Sequence, residues 1–156
     1  FRLQGIAAGA PRVERAAATT LGACAASPRI QLASLDSVLR IASADEQAHD
    51  VRLIEADGYR NLGGFTVPAA GEIERRLRVP GLLHLRCETH PGARGWIWVT
   101  EHPYAVLTGP DGTFGLGEIP AGHYVLHVWH EAFSSAMQEI DLTAGEARVT
   151  DFILQP

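Results

Sequence analysis

The sequence predicts an all-β protein, folded as a β-sandwich or barrel. Short runs of β-branched or alternating apolar residues recur along the 156-residue chain, and clusters of Gly, Pro, Asn and Asp separate them. Such regular spacing of short strands and turns is typical of sandwiches and barrels. Helical periodicity is weak by comparison. The predicted strands cover residues 30–32, 37–41, 51–54, 75–79, 82–87, 95–99, 104–107, 124–129, 138–142 and 147–154.

The first 29 residues are predicted to form an extended lead-in or an edge strand. Residues 13–26 are rich in Ala but carry no apolar stripe, and they contain Thr-Thr and Gly. The Ala- and Gly-rich segment FRLQGIAAGAP at residues 1–11 is suited to pairing with a partner through backbone hydrogen bonds. The regular strands are therefore expected to begin after this lead-in.

Two turns are predicted in the second half of the chain. Asp111-Gly112 lies between apolar residues and predicts a tight hairpin, because Gly supplies the positive φ that such turns require. Pro120-Ala121-Gly122 marks a second turn, which leads into the alternating strand YVLHVW.

Composition excludes several classes of partner and activity. The formal net charge is −5 and the basic residues form no stripe, so the sequence argues against nucleic-acid binding. The apolar runs are far shorter than the roughly 20 residues of a membrane span. A nucleophile elbow, a phosphate-binding Gly loop and a His-Glu-x-x-His motif are all absent, so no enzymatic activity is predicted.

Three short motifs resemble the cupredoxins, specifically the bacterial periplasmic branch of that family. They are CAASPR at 24–29, AHDVR at 48–52 and CETHPGA at 87–93. The resemblance implies a Greek-key β-sandwich or barrel. It also aligns His49, Cys87 and His90 with the two imidazoles and the thiolate that form the plane of a type 1 copper site.

The same alignment shows three departures from the copper motif. Ala93 stands where the family has its axial Met, and Arg29 and Arg52 stand where relatives carry further His residues. If both guanidinium groups lie near the site, as the alignment implies, their charge disfavours a bound cation. The departures therefore favour a site that has lost copper, and copper on His49, Cys87 and His90 is the alternative.

The two cysteines bear on the same choice. Two cysteines in an exported β-domain more often form a disulfide than a metal ligand and a spare thiol, and the cupredoxin alignment makes a Cys24–Cys87 bridge geometrically reasonable. The loop it closes, about 64 residues, would make the bridge worth roughly 4 kcal/mol of stability. A bridged Cys87 would not bind copper, so the disulfide is the leading expectation, and free thiols or a copper thiolate are the alternatives.

A second resemblance covers the C-terminal part of the chain. The DG-x-F element at 111–114 and the IPAG-x-Y element at 119–124 are similar to the carboxypeptidase regulatory-like module, a transthyretin-like β-sandwich without peptidase residues. The expected regions are therefore a lead-in at 1–29, a cupredoxin-like region at 30–94 and a regulatory-like region at 95–156. The last two regions could share one hydrophobic core.

Aromatic and basic side chains are the candidate interface, although a Trp face that packs in the core is the first expectation. Trp96 and Trp98 alternate on GWIWV and share one face, while Trp129 ends a later strand; aromatic residues are enriched at protein interfaces. Arg29 and Arg52 join this candidate set. Each His other than His49 and His90 is expected to be structural.

The function predicted first is a non-catalytic accessory or structural subunit without a cofactor. The family resemblance implies a periplasmic or extracellular protein that docks onto a larger complex, such as an electron-transfer or photosynthetic membrane complex. The chain begins at Phe1 without an initiator Met, which is compatible with a removed signal peptide or anchor. The main alternative is a mononuclear copper protein that transfers electrons or carries copper. A third, weaker alternative is a domain that binds a small ligand or a carbohydrate with its aromatic face.

Overall fold

A computed structural model describes residues 2–4, 14–22 and 25–156 of the chain. The regular structure of these residues is entirely β, which confirms the predicted fold class, and no described helix is long and apolar enough to cross a membrane. The strands are β1 (Arg2–Gln4), β2 (Ala17–Gly22), β3 (Ala25–Ser27), β4 (Ile30–Ser34), β5 (Val38–Ser43), β6 (His49–Glu55), β7 (Asn61–Val67), β8 (Glu72–Arg76), β9 (Gly81–Cys87), β10 (Arg94–Thr100), β11 (Gly122–Val128) and β12 (Ala136–Leu142).

The chain divides into two compact units. One unit is Arg12–Glu101, and the other combines Phe1–Pro11 with His102–Pro156. The predicted regions 1–29, 30–94 and 95–156 do not coincide with these units. The difference arises because β10 pairs with β9 and also with β4, so backbone hydrogen bonds hold residues 94–100 in the first unit.

The unit Arg12–Glu101 is a sandwich of two sheets. A five-stranded sheet has the order β4-β10-β9-β6-β7, and a four-stranded sheet has the order β3-β2-β5-β8. Most neighbours are antiparallel, and the pairs β10–β4 and β2–β5 are parallel. Strands β6 and β9, which carry the residues of the candidate site, lie side by side in the five-stranded sheet.

Alternation along the strands builds the core of this sandwich. In β9, Leu83, Leu85 and Cys87 are buried and Arg86 is exposed, as the period of two requires. Side chains from both sheets join in one cluster, and burial of each large apolar side chain contributes about 1.5–3 kcal/mol. The fully buried members include Leu21, Leu39 and Ile41 from one sheet and Val51, Leu83, Leu85 and Ile97 from the other.

The second unit contains a three-stranded sheet of order β1-β11-β12. Its core is a separate cluster of Tyr104, Tyr124, Leu126 and Ile140. The hydroxyl of Tyr124 donates a 2.7 Å hydrogen bond to the carbonyl of Pro120, which anchors the turn that precedes β11. On the exposed face, the Asp141 carboxylate accepts a hydrogen bond from His123 and raises the pKa of that imidazole.

The strand predictions differ from the structure at a few places. Residues 104–107 and 147–154 contain no strand. Strands β2 and β3 lie within the segment that was expected to be a lead-in, because the small residues of β2 alternate between buried and exposed positions without forming an apolar pattern in the sequence. Strand β7 was not predicted either, since Gly63 and Gly64 interrupt its apolar pattern. The Asp111-Gly112 turn does form, and Gly112 has a φ of 82°. The N–H of Gly112 donates a 3.0 Å hydrogen bond to the carbonyl of Gly109. Strands do not flank it, so it is a tight turn in a loop and not a β-hairpin.

Candidate metal centre

The candidate site lies at one end of the five-stranded sheet. His49 is the first residue of β6 and Cys87 is the last residue of β9. The two strands are antiparallel neighbours, with Val51 opposite Cys87, so the start of one strand and the end of the other coincide. Both side chains occupy the inner face, where His49 is 0% and Cys87 2% exposed.

A short loop brings His90 back to the same place. The N–H of Ala93 donates to the carbonyl of His90 at 2.8 Å, and the N–H of Cys87 donates to the carbonyl of Ala93 at 3.0 Å. These two bonds close the segment 88–93 on itself between β9 and β10. They hold the half-buried His90 beside the end of β9.

The three side chains converge through three atoms. Sγ of Cys87 lies 3.6 Å from Nδ1 of His49 and 3.7 Å from Nδ1 of His90. The imidazole centroids are 4.8 Å apart with an interplanar angle of 52°. Within residues 2–4, 14–22 and 25–156, this is the only group of three or more His, Cys, Asp or Glu residues whose ligand atoms are close enough to share a metal ion.

The donor set fits a soft first-row ion such as copper. Two imidazole nitrogens and one cysteine sulfur are the donors of a trigonal blue-copper plane. Metal–sulfur bonds of about 2.3 Å and metal–nitrogen bonds of about 2.0 Å, arranged at trigonal angles, separate sulfur from nitrogen by about 3.7 Å. The two Sγ–Nδ1 distances of 3.6 and 3.7 Å agree with that separation.

An acidic residue stands behind the buried imidazole. Nε2 of His49, the nitrogen that faces away from Cys87, lies 3.1 Å from Oδ2 of Asp45. The contact is at ion-pair distance but does not have the geometry of a hydrogen bond. The N–H of Asp45 donates to the hydroxyl of Ser43 at 3.2 Å, which fixes the backbone that carries this carboxylate.

Arg52 does not share the direction of the ligands. Arg52 lies three residues beyond His49 on β6, so it points to the outer face of the sheet, where it is exposed. Its guanidinium pairs with the carboxylate of Glu88 at 3.3 Å, as does that of Arg86. Arg29 is an exposed residue just before β4, and its backbone carbonyl accepts the N–H of Trp96 at 2.7 Å.

The position aligned with the axial ligand offers no donor side chain. Ala93 is completely buried, and its N–H and carbonyl are both used to close the loop. The single Met of the chain, Met137, belongs to β12 in the other unit and is 68% exposed. The chain thus has His49, Cys87 and His90 at the positions aligned with the equatorial ligands, and no thioether at the position aligned with the axial ligand.

The predicted Cys24–Cys87 disulfide is not found. Cys87 is a free, buried thiol whose sulfur is directed at His49 Nδ1, His90 Nδ1 and the hydroxyl of Thr89. Cys24 lies outside the described residues. The sulfur that a bridge would have consumed is therefore directed into the candidate site.

The aromatic interface candidates are half-buried. Trp96 and Trp98 share the outer face of β10, opposite the buried Ile97, as alternation predicts. The ring of Trp96 stacks on that of His84, with centroids 4.1 Å apart. Trp129 follows β11 and is also half-buried. Their role as an interface, like that of Arg29 and Arg52, stays a prediction.

Two residues near the site were not found from the sequence. Asp45 precedes β6 in a loop, where no periodic pattern marks the direction of a side chain. Thr89 lies inside the motif CETH, and its hydroxyl reaches both Cys87 and His90. A polar residue between the two ligands of a short loop is the only signal that the sequence offered for Thr89.

Comparisons with known proteins give likenesses to cupredoxin structures. No protein-family model and no curated protein matches the chain. A reduced-state amicyanin mutant is 13% identical, with a TM-score of 0.46, over 64% of this chain and 100% of its own. A purple cupredoxin from Nitrosopumilus maritimus is 18% identical, with a TM-score of 0.44, over 54% and 99%.

Another amicyanin mutant, in the Cu(I) form, is 16% identical, with a TM-score of 0.46, over 62% of this chain and 87% of its own. Likenesses with such low identities and TM-scores assign no function to the chain. The chemistry of the site has to be argued from its own residues.

Proposed function

We propose that the chain is a mononuclear copper protein that exchanges single electrons and that His49, Cys87 and His90 hold the ion. One observation carries the proposal: the Nδ1 atoms of both imidazoles lie 3.6 and 3.7 Å from the same buried sulfur. The side chains come from two strands and one loop, and each is positioned by backbone hydrogen bonds of the sandwich. Bound copper would supply the one-electron chemistry.

Burial supports electron exchange over release of the ion. Ligands in a rigid, dry β-scaffold hold their geometry in both oxidation states, so little rearrangement accompanies the transfer of an electron. His49 and Cys87 are almost completely buried, whereas His90 is half-buried. The His90 imidazole is then the edge through which a one-electron redox partner would reach the site. The location outside the cytoplasm remains part of the proposal.

Ala93 favours the other reading, in which the scaffold has lost its copper and serves as an accessory subunit. An axial ligand adds little to the binding of the ion but tunes its redox potential. Of the other observations that favoured this reading, the disulfide and Arg52 do not support it, because Cys87 is free and Arg52 lies on the outer face of the sheet. Arg29 stays an argument for this reading. Copper binding is therefore the better supported function.

A copper titration followed by absorption spectroscopy tests the proposal. The purified chain is expected to bind one Cu(II) ion, as measured by elemental analysis, and to develop a visible thiolate-to-copper band. Cys87→Ser is expected to abolish that band, because a serine hydroxyl does not replace a thiolate donor.

Cys24→Ser is the matched control, since it removes the other thiol and should leave the band intact. A colourless, metal-free chain with no titratable thiol would contradict the proposal and favour the accessory scaffold. A band that survives Cys87→Ser would also contradict it.

A further inference from the structure

We infer that Thr89 is a positioning residue whose hydroxyl donates a hydrogen bond to the Cys87 sulfur in the copper-loaded site and thereby favours Cu(I). The inference rests on the proposed function and deepens it. In the loop 88–93, Thr89 is the only residue with a hydroxyl group. The neighbouring Glu88 carboxylate could act only as an acceptor, and it is paired with the guanidinium groups of Arg52 and Arg86.

The contacts of Thr89 place one hydroxyl between two ligands. Its Oγ1 lies 3.1 Å from Sγ of Cys87 and 3.0 Å from Nδ1 of His90. A hydroxyl has one proton to donate, so it serves one of these two atoms at a time. Without a metal, the neutral imidazole nitrogen is the better acceptor, and the thiol can donate to the hydroxyl oxygen.

With a metal bound, the Thr89 hydroxyl would have only one of these two atoms as an acceptor. An imidazole nitrogen has one lone pair, and His90 Nδ1 would use that pair as a ligand. A thiolate sulfur has further lone pairs after it binds a metal. The Thr89 hydroxyl would then have the sulfur as its only acceptor of the two, at a distance that the fold already provides.

A hydrogen bond to the sulfur has a defined electronic effect. It draws negative charge away from the thiolate, and Cu(II) depends on that charge more than Cu(I) does. Hydrogen bonding around the cysteine sulfur is a recognised determinant of the potential of such sites. A charge-assisted bond of ordinary strength shifts the Cu(I) to Cu(II) ratio at a fixed solution potential by roughly tenfold.

The experiment compares Thr89→Val with Thr89→Ser. Valine keeps the shape of the side chain and removes the hydroxyl, whereas serine keeps the hydroxyl. In a potentiometric titration of the copper-loaded chain, Thr89→Val is expected to lower the Cu(I) to Cu(II) ratio about tenfold at a fixed solution potential. Thr89→Ser is expected to stay within about twofold of the original chain, because it retains the donor.

A second readout does not depend on copper redox chemistry. Co(II) in the same site is expected to give a thiolate charge-transfer band, which Thr89→Val shifts to lower energy because the sulfur loses its hydrogen bond. Equal potentials and equal Co(II) spectra in both variants would overturn the role of Thr89 alone. Failure of the unmodified chain to bind copper would overturn the proposed function and this inference together.

Discussion

Glycine in place of His90 is expected to abolish the thiolate-to-copper band, and added imidazole is expected to restore it. Glycine in place of His49 is expected to abolish the band without such rescue. The difference follows from burial, since His90 is half-buried in a loop and His49 is 0% exposed. A free imidazole can reach the first vacancy from solvent, whereas the second lies inside the sandwich. Titration of each copper-treated variant with imidazole measures the effect.

The loop that carries His90 should survive the change to glycine. Its closing hydrogen bonds use the backbone of His90, Ala93 and Cys87, and none of them needs the imidazole. Glycine at position 49 is more disruptive, because it removes a buried side chain from a strand. Circular dichroism must therefore show that both variants are folded. Rescue of folded His49→Gly, or its failure in folded His90→Gly, would contradict this account of the site.

Asparagine in place of Asp45 is expected to weaken copper binding about 10- to 100-fold, the usual cost of losing a residue that supports a metal ligand. The Asp45 carboxylate lies 3.1 Å from Nε2 of His49, and its negative charge beside that nitrogen favours the tautomer that carries the proton there. That tautomer leaves Nδ1 free to face Cys87. Asparagine keeps the size of the side chain but loses the charge. Competition against a chelator of known copper affinity measures the change.

Asp50→Asn provides the control on the same strand. Asp50 follows His49 directly but points to the outer face, where its carboxylate accepts a 2.8 Å hydrogen bond from Thr66. Its replacement removes the same charge close to the site without touching a ligand. Equal loss of affinity in both variants would show that Asp45 acts only through the net charge of this end of the sheet.

Much of the fold could be predicted because the strands obey the period of two. Strand β10 is the clearest case, since its alternation places Trp96 and Trp98 opposite Ile97, as observed. Strand β7 could not be predicted, because Gly63 and Gly64 supply no side chain to mark a face. The runs at 104–107 and 147–154 were predicted as strands but contain none. An apolar run forms a strand only where a neighbouring strand accepts its backbone hydrogen bonds, and the sequence does not show where such a neighbour lies.

Some residues of the site could be predicted from a local motif, whereas others depend on parts of the chain that are distant in sequence. The spacing of Cys87 and His90 is local, and family resemblance added His49 from a distant strand. The orientation of Arg52 could have been predicted from the alternation of side chains along β6. Residues three apart on a strand face opposite sides, so Arg52 could not share the direction of His49. Asp45 and Thr89 could not be found, because loop geometry sets the direction of their side chains.

The central claim is that one copper ion binds to His49, Cys87 and His90. X-ray absorption at the copper edge, on the intact chain loaded with one equivalent of copper, tests this claim most directly. The account predicts one sulfur donor and two nitrogen donors in the first coordination shell. A shell of nitrogen and oxygen donors without sulfur, or a chain that does not retain copper, would contradict it.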